Sequence, residues 1–138
     1  MRLNLKMIIL TILLVVSTNS SSANILAEQE NLLTNMSQSQ IYIFVSFSMP
    51  DSALKSYAAE AEKIGAILVM RGLKNNSFIE TKVKADEIGI SFDIYPNLFE
   101  KYQITSVPVI IVDDTQGEIK KLTGHISLQN ALEIMEKE

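Results

Sequence analysis

Reactive chemistry would be expected at one junction in this sequence, where an apolar run over 41–47 meets an amphipathic segment that begins with Ser48-Met49-Pro50-Asp51. The amino end of a helix lowers the pKa of a thiol, so a thiol oxidoreductase carries a Cys-x-x-Cys pair at such a place. This chain contains no cysteine. Because disulfide exchange needs a sulfur on the protein, the sequence excludes that reaction and favours binding over catalysis.

The same junction allows two alignments with a redox motif, and the residues do not choose between them. Ser48 and Asp51 replace the two cysteines in one alignment, and Met49 and Ser52 replace them in the other. Ser48 also suits the N-cap of the following helix. A nucleophilic serine would need a general base. The one histidine, His125, lies in a distant segment without an evident orienting acid, so we disfavour a serine hydrolase and interpret His125 as an exposed loop residue.

The composition argues against several other classes of function. One histidine and no cysteine disfavour a zinc or copper site, and we predict neither a metal nor a cofactor. The net charge is −4, and no cluster of Lys and Arg is interleaved with aromatic residues. Nucleic-acid binding is therefore disfavoured as well.

The amino end has the pattern of a secretory signal peptide over 1–23. Two basic residues precede an apolar run over 7–16, and Ser21-Ser22-Ala23 supplies small residues for cleavage. We expect cleavage after Ala23 and export to the periplasm. An uncleaved anchor, which would give the chain its only membrane contact, is disfavoured because the run is shorter than the roughly 20 residues that span a bilayer. Residues 24–40 form a polar leader, which is either poorly ordered or a short helix.

From residue 41 onward, strand and helix patterns alternate. They predict, in order, strand 41–47, helix 51–64 with its stop at Gly65, strand 66–70, and a helix through about 88 with capping residues at 75–77. Edge strand 90–94, a brief helix 95–102, a hairpin of 109–112 and 118–122, and a helix from 127 follow. This order predicts one domain over 41–138 with a thioredoxin-like fold, a three-layer α/β sandwich around a mixed sheet, here without the Cys-x-x-Cys motif. The candidate core residues of the helices are Leu54, Tyr57, Ala58, Ala61, Ile64, Phe78, Ile79, Val83, Ile88, Leu128, Ala131, Leu132 and Met135.

A Val107-Pro108 step opens the strand over 109–112. In a thioredoxin-like fold the loop before this strand lies opposite the junction at Ser48, where the backbone before the proline can pair with an extended peptide. We therefore predict a cis bond before Pro108. The alternative is that the proline simply starts a strand, which an edge or first position tolerates.

Three blocks of sequence resemble the TrbC family of F-type conjugative transfer systems. Ser-Phe-Ser-Met-Pro, Arg-Gly-Leu and Ile-Thr-x-Val-Pro stand at 46–50, 71–73 and 104–108, in matching order and spacing. The resemblance covers about 41–112. It implies an exported, thioredoxin-like protein without catalytic cysteines, which serves in assembly of the conjugative pilus of a type IV secretion apparatus and associates with TraW-like envelope proteins.

The family pattern also implies a shared partner-binding surface. Its expected residues here are Ser46, Ser48, Met49, Pro50, Arg71, Gly72, Val107 and Pro108. Met49 is expected to be exposed, because a flexible, polarisable side chain suits a protein-binding patch. Arg71 has an equally favoured alternative role, which is pairing with an acid at the strand end.

The leading hypothesis is a non-catalytic assembly factor that binds an envelope protein through the groove between the junction and Val107-Pro108. A general periplasmic peptide-binding chaperone is the alternative, and it would bind many clients with loose selectivity. A cysteine-free enzyme is less favoured, because it would require titratable groups that converge on Ser48.

Overall fold

The computed structural model describes residues 22–27 and 39–137. Residues 22–27 are helical with exposed side chains, and they belong to a first compact unit that ends at Gln38. The second unit, Ser39–Glu138, contains the sheet. In the described ranges no helix is long and apolar enough to cross a membrane. Most of the predicted signal segment and leader lies outside these residues, so both stay predictions.

Five strands form one mixed sheet in the order β3-β2-β1-β4-β5. The strands are β1 (Gln40–Val45), β2 (Ile67–Met70), β3 (Asp93–Ile94), β4 (Val109–Asp113) and β5 (Ile119–Thr123). The first three run parallel, whereas β4 is antiparallel to both β1 and β5. The mixed sheet and its antiparallel hairpin are therefore confirmed.

Three strands are shorter than predicted, of which β2 lacks only the first predicted residue, Ala66. β1 ends at Val45 because the chain turns at once, with the Met49 amide donating to the Ser46 carbonyl at 3.0 Å. Only Asp93–Ile94 of the predicted edge strand pairs with β2.

Within residues 39–137, four α-helices follow the predicted order. They are α1 (Asp51–Ile64), α2 (Phe78–Ile88), α3 (Pro96–Lys101) and α4 (Leu128–Glu136), with a 3-10 turn at Lys74–Asn76. α1 ends at Gly65, whose φ of 72° suits a glycine. The hydroxyls of Ser77 and Ser127 accept hydrogen bonds from amides in the first turns of α2 and α4. These local signals explain why the helix boundaries could be predicted within a few residues.

The core consists of one cluster on each face of the sheet, because successive strand residues point to opposite sides. Ile43 and Val45 join the cluster under α1, α2 and α4, while Phe44 joins the cluster under α3. All three of these side chains are fully buried. The arrangement is the predicted three-layer sandwich.

α2 meets the domain with the opposite face from the one predicted. Phe78, Ile79 and Val83 are 70%, 75% and 51% exposed, whereas Thr81 is 5% exposed. The Thr81 hydroxyl donates to the Ser77 carbonyl at 2.6 Å and accepts from the Lys74 amide at 2.8 Å. These bonds join the amino end of α2 to the preceding 3-10 turn, while Ile88 packs into the core cluster. Three of the four predicted core residues of α2 are therefore wrong.

Three other predicted core positions also differ. Ile64 is the last residue of α1, and its side chain is 46% exposed. Ala58 and Leu132 are half-buried and pack at the margin of the cluster on their face. The remaining predicted helix core residues are buried, namely Leu54, Tyr57, Ala61, Ile88, Leu128, Ala131 and Met135.

Candidate functional site

The sheet brings all the predicted site residues to one of its ends. β1 and β2 are parallel with Val45 opposite Met70, so the segments that begin at Ser46 and Arg71 leave the sheet side by side. β4 is antiparallel to β1 with Phe44 opposite Val109, which places the segment before β4 beside the end of β1. The junction, the Arg71-Gly72 turn and the proline loop are thus neighbours.

The junction is a tight turn tied by its two serines. The hydroxyl oxygens of Ser46 and Ser48 lie 2.7 Å apart, and the Ser48 amide donates to the Ser46 hydroxyl at 3.0 Å. Pro50, not Ser48, is the N-cap of α1, and no side chain caps this helix. The predicted capping role of Ser48 is wrong because its hydroxyl bonds backwards to Ser46. The side chain of Ser48 remains exposed.

Met49 is a core residue, and the expectation of an exposed methionine is wrong. Its side chain is 7% exposed and belongs to the same cluster as Leu54 and Met70. The turn at Ser46 directs residue 49 inward, beneath the first turn of α1. The outer surface of the junction is formed by Ser48 and Pro50, both exposed.

The proline loop has the predicted backbone conformation, since the Val107–Pro108 peptide bond is cis. Pro108 is buried, and its carbonyl accepts from the Gly124 amide at 3.1 Å. Val107 is half-buried and packs against both core clusters, while Thr105 and Ser106 are exposed. Val107 therefore combines a structural position with a partly accessible side chain.

Arg71 ties the end of β2 to the segment that leads into the proline loop. Its Nη2 atom donates to the Ile104 carbonyl at 2.7 Å, and its guanidinium lies 5.0 Å from the centre of the Phe99 ring. The group that Arg71 meets is thus a backbone carbonyl, not the acid considered in the sequence. Arg71 and Gly72 are both exposed.

The junction does not assemble a nucleophile with its base. The Ser48 hydroxyl bonds to Ser46, and His125 is exposed in the connection between β5 and α4, with its ring 6.5 Å from that of Tyr57. Across residues 22–27 and 39–137, no three His, Cys, Asp or Glu side chains are grouped as metal ligands.

A polar cluster that the sequence did not reveal lies at the opposite end of β4. The Tyr102 hydroxyl donates to Asp113 Oδ2 at 2.6 Å, and Lys101 Nζ donates to the same oxygen at 2.9 Å. The hydrogen bond from Tyr102, then those from Lys101 and the Thr115 amide, lower the pKa of Asp113 to about 2. Burial, followed by the bond to Asp113, raises the pKa of Tyr102. The cluster joins α3 to β4 and is remote from the junction.

The fold and this site define a thioredoxin-like domain in which serine, methionine and proline occupy the junction of a redox motif. The thioredoxin lipoprotein Etrx1 of Streptococcus pneumoniae aligns with a TM-score of 0.56 and 16% identity, over 77% of this chain and 89% of that one. The N-terminal domain of PilB from N. meningitidis aligns with a TM-score of 0.53 and 16% identity, over 72% and 79% of the two chains. At these identities the likeness shows the fold alone.

Family membership comes from the sequence comparison. The family described as the type-F conjugative transfer system pilin assembly protein matches residues 43–135, so the chain belongs to the F-type TrbC family. It is 33% identical over 96 residues to the periplasmic protein TrbC of Escherichia coli strain K12. That alignment covers 65% of this chain and 44% of the relative, so the chain spans less than half the length of the relative. The predicted family and fold are both confirmed.

Proposed function

We propose that this chain is an exported, non-catalytic factor for assembly of an F-type conjugative pilus, and that it acts by binding another envelope protein. The observation that carries this proposal is the family match over 43–135 in a chain that contains no cysteine. The family supplies the assembly role, and the missing sulfur leaves binding as the use of the fold. In this proposal the chain is directed to the periplasm by a signal peptide cleaved after Ala23.

The proposed contact surface, here called the junction surface, consists of Ser46, Ser48, Pro50, Arg71, Gly72 and Val107. Two predicted members act differently in this proposal, because Met49 and Pro108 are buried and hold the surface from beneath. The exposed residues are small or polar, except for the partly covered Val107. Such a surface suits an extended segment that binds mainly through its backbone. By family resemblance, we propose a TraW-like protein as the partner.

Site-directed photocrosslinking tests this proposal in the full chain. A photoreactive residue at the exposed Ser48 is compared with one at Glu133, an exposed position on α4. We expect one dominant adduct with a TraW-like protein from position 48 and none from position 133, in cells that carry the conjugation apparatus. The same adduct from both positions would place the contact elsewhere, and many unrelated adducts from position 48 would indicate a general chaperone.

A substitution gives the functional counterpart. Ser48→Arg enlarges an exposed side chain without touching the core, so we expect a folded protein and reduced transfer of the conjugative element. Gln129→Arg places the same group on exposed α4 and serves as the matched control. Normal transfer with a stably folded Ser48→Arg chain would contradict a role for the junction surface.

A further inference from the structure

The face of the sheet opposite α1 carries a pocket that the junction surface does not use. α3 has only 6 residues and covers this face incompletely. The pocket beside it has a volume of about 170 Å³. Its lining residues are Tyr42, Ile67, Val69, Asp93, Tyr95 and Leu98.

The sheet register fixes the layout of this pocket. Tyr42 pairs with Ile67 across β1 and β2, and Val69 pairs with Asp93 across β2 and β3. The apolar floor and wall of the pocket are therefore formed by Ile67, Val69 and Leu98. The carboxylate of Asp93 lies at the edge strand β3. The Tyr95 amide donates to the Met70 carbonyl at 3.0 Å, which holds the second tyrosine next to that edge.

The acid in this pocket is available for a ligand. Asp93 is exposed, and across the described ranges its carboxylate has no hydrogen-bond or ion-pair partner. Tyr95 is 52% exposed and Tyr42 is half-buried, so aromatic surface is accessible beside the carboxylate. A carboxylate next to aromatic rings attracts a cation by charge and by the ring quadrupole together.

The protein already places its own cations over aromatic rings on the same face, and in one case a carboxylate bonds the cation as well. Lys101 Nζ lies 4.6 Å from the centre of the Tyr102 ring while it hydrogen-bonds Asp113. Arg71 lies over Phe99, as described above. Within residues 39–137, no lysine or arginine of the chain occupies the corresponding position at Tyr42, Tyr95 and Asp93.

We propose that this pocket binds an arginine side chain of a partner polypeptide. The planar guanidinium can stack flat on a tyrosine ring while it bonds a carboxylate through two parallel N–H groups, whereas a lysine ammonium meets both groups only as a compact point charge. The arginine methylene groups suit the apolar floor. The net charge of −4 favours approach of a basic segment.

The adjacent sheet edge gives such a segment a place to lie. β3 is the terminal strand of the sheet, so no described strand pairs with its outer side. An extended partner segment can add alongside β3 and direct one side chain into the pocket. The pocket shares no lining residue with the junction surface.

The test uses two small probes that differ in charge but little in shape. The isotopically labelled full chain is titrated with N-acetyl-arginine amide and, separately, with N-acetyl-citrulline amide, while amide shifts are followed by NMR. We expect saturable shifts from the arginine probe that are confined to the pocket lining. We expect the citrulline probe to bind about fivefold more weakly or worse, because the charge is lost.

Two variants identify the groups responsible. Asp93→Asn and Tyr95→Leu should each weaken the arginine probe about fivefold. Asp86→Asn, which removes an exposed carboxylate paired with Lys82 on α2, should leave its affinity unchanged. Equal affinity for both probes, shifts spread over the surface, no saturable shift, or an Asp93→Asn chain that binds like the parent would each overturn the proposal.

Discussion

Lys120 and Lys121 are consecutive in β5, yet each ammonium group binds the carboxyl end of a different helix. Lys120 Nζ donates to the Met135 carbonyl of α4 at 2.6 Å. Lys121 Nζ donates to the carbonyls of Tyr102 and Gln103, just beyond α3, at 3.1 Å each. Neighbouring strand residues point to opposite faces of a sheet. The two lysines therefore stabilise the packing of α4 on one face and of α3 on the other.

We expect Lys120→Met and Lys121→Met each to lower the free energy of unfolding by about 1 kcal/mol, since each removes a charged donor from helix carbonyls. The two losses should add, because the two side chains share no partner. Chemical denaturation measures both. Lys55→Met, at an exposed position of α1, is the control and should change the free energy of unfolding by less than about 0.5 kcal/mol. Strong coupling between the two variants would contradict separate roles.

Asp113 should make the domain sensitive to strong acid. Its pKa is lowered to about 2 in the folded protein, so its stabilising effect is fully present above its ordinary pKa of 3.8 and is lost as the pH falls toward 2. Asp113→Asn should therefore cost about 1–2 kcal/mol at neutral pH, and this cost should shrink as the pH falls and disappear below pH 2. Denaturation at a series of pH values measures the difference. A difference that does not shrink in acid would exclude the carboxylate as its source.

The orientation of α2 predicts an unusual mutational pattern. Thr81→Val leaves the Lys74 amide without its acceptor, so we expect a loss of about 1–2 kcal/mol of unfolding free energy. Ile79→Ser replaces a large apolar residue that is 75% exposed, and its cost should stay within about 0.5 kcal/mol. Thermal or chemical unfolding of the Thr81→Val and Ile79→Ser variants measures the two losses. The reverse ranking would mean that Ile79 and not Thr81 faces the domain.

Met49 should respond as a core residue in stability measurements. Met49→Ala should lower the free energy of unfolding by about 2–3 kcal/mol, and Met49→Leu by less than about 1.5 kcal/mol. Met49→Asp buries an unpaired carboxylate and should unfold the domain. Lost partner binding by that variant would therefore report on folding, which is why Ser48 is the appropriate position for testing the surface. A stably folded Met49→Asp chain would show that residue 49 can reach solvent.

The sequence was sufficient for the features that depend on local signals. The order of strands and helices, the cap at Ser77 and the helix end at Gly65 all follow from neighbouring residues. The prediction of a cis bond before Pro108 was also confirmed. That prediction depended on the fold, which the order of the elements implied.

The predictions that failed concern features that depend on contacts between distant segments. Helical periodicity groups Ile79 with Val83, but it does not say whether that face or the face of Thr81 meets the domain. The partner of Arg71 is a carbonyl 33 residues away, and Asp113 meets Tyr102 only because α3 packs across β4. Met49 lies in the core cluster with residues of α1, β2 and α4, which the junction sequence alone does not show.

The Arg71 contact with Ile104 has a thermodynamic consequence for recognition. It links two chain segments that border the junction surface, so the free protein already holds them in one relative position. In the proposed contact, a partner that docked there would immobilise little of this chain, so the conformational entropy lost on binding would fall mainly on the partner. The affinity would then depend on the shape complementarity between the partner segment and the junction surface, and not on a conformational change of this domain.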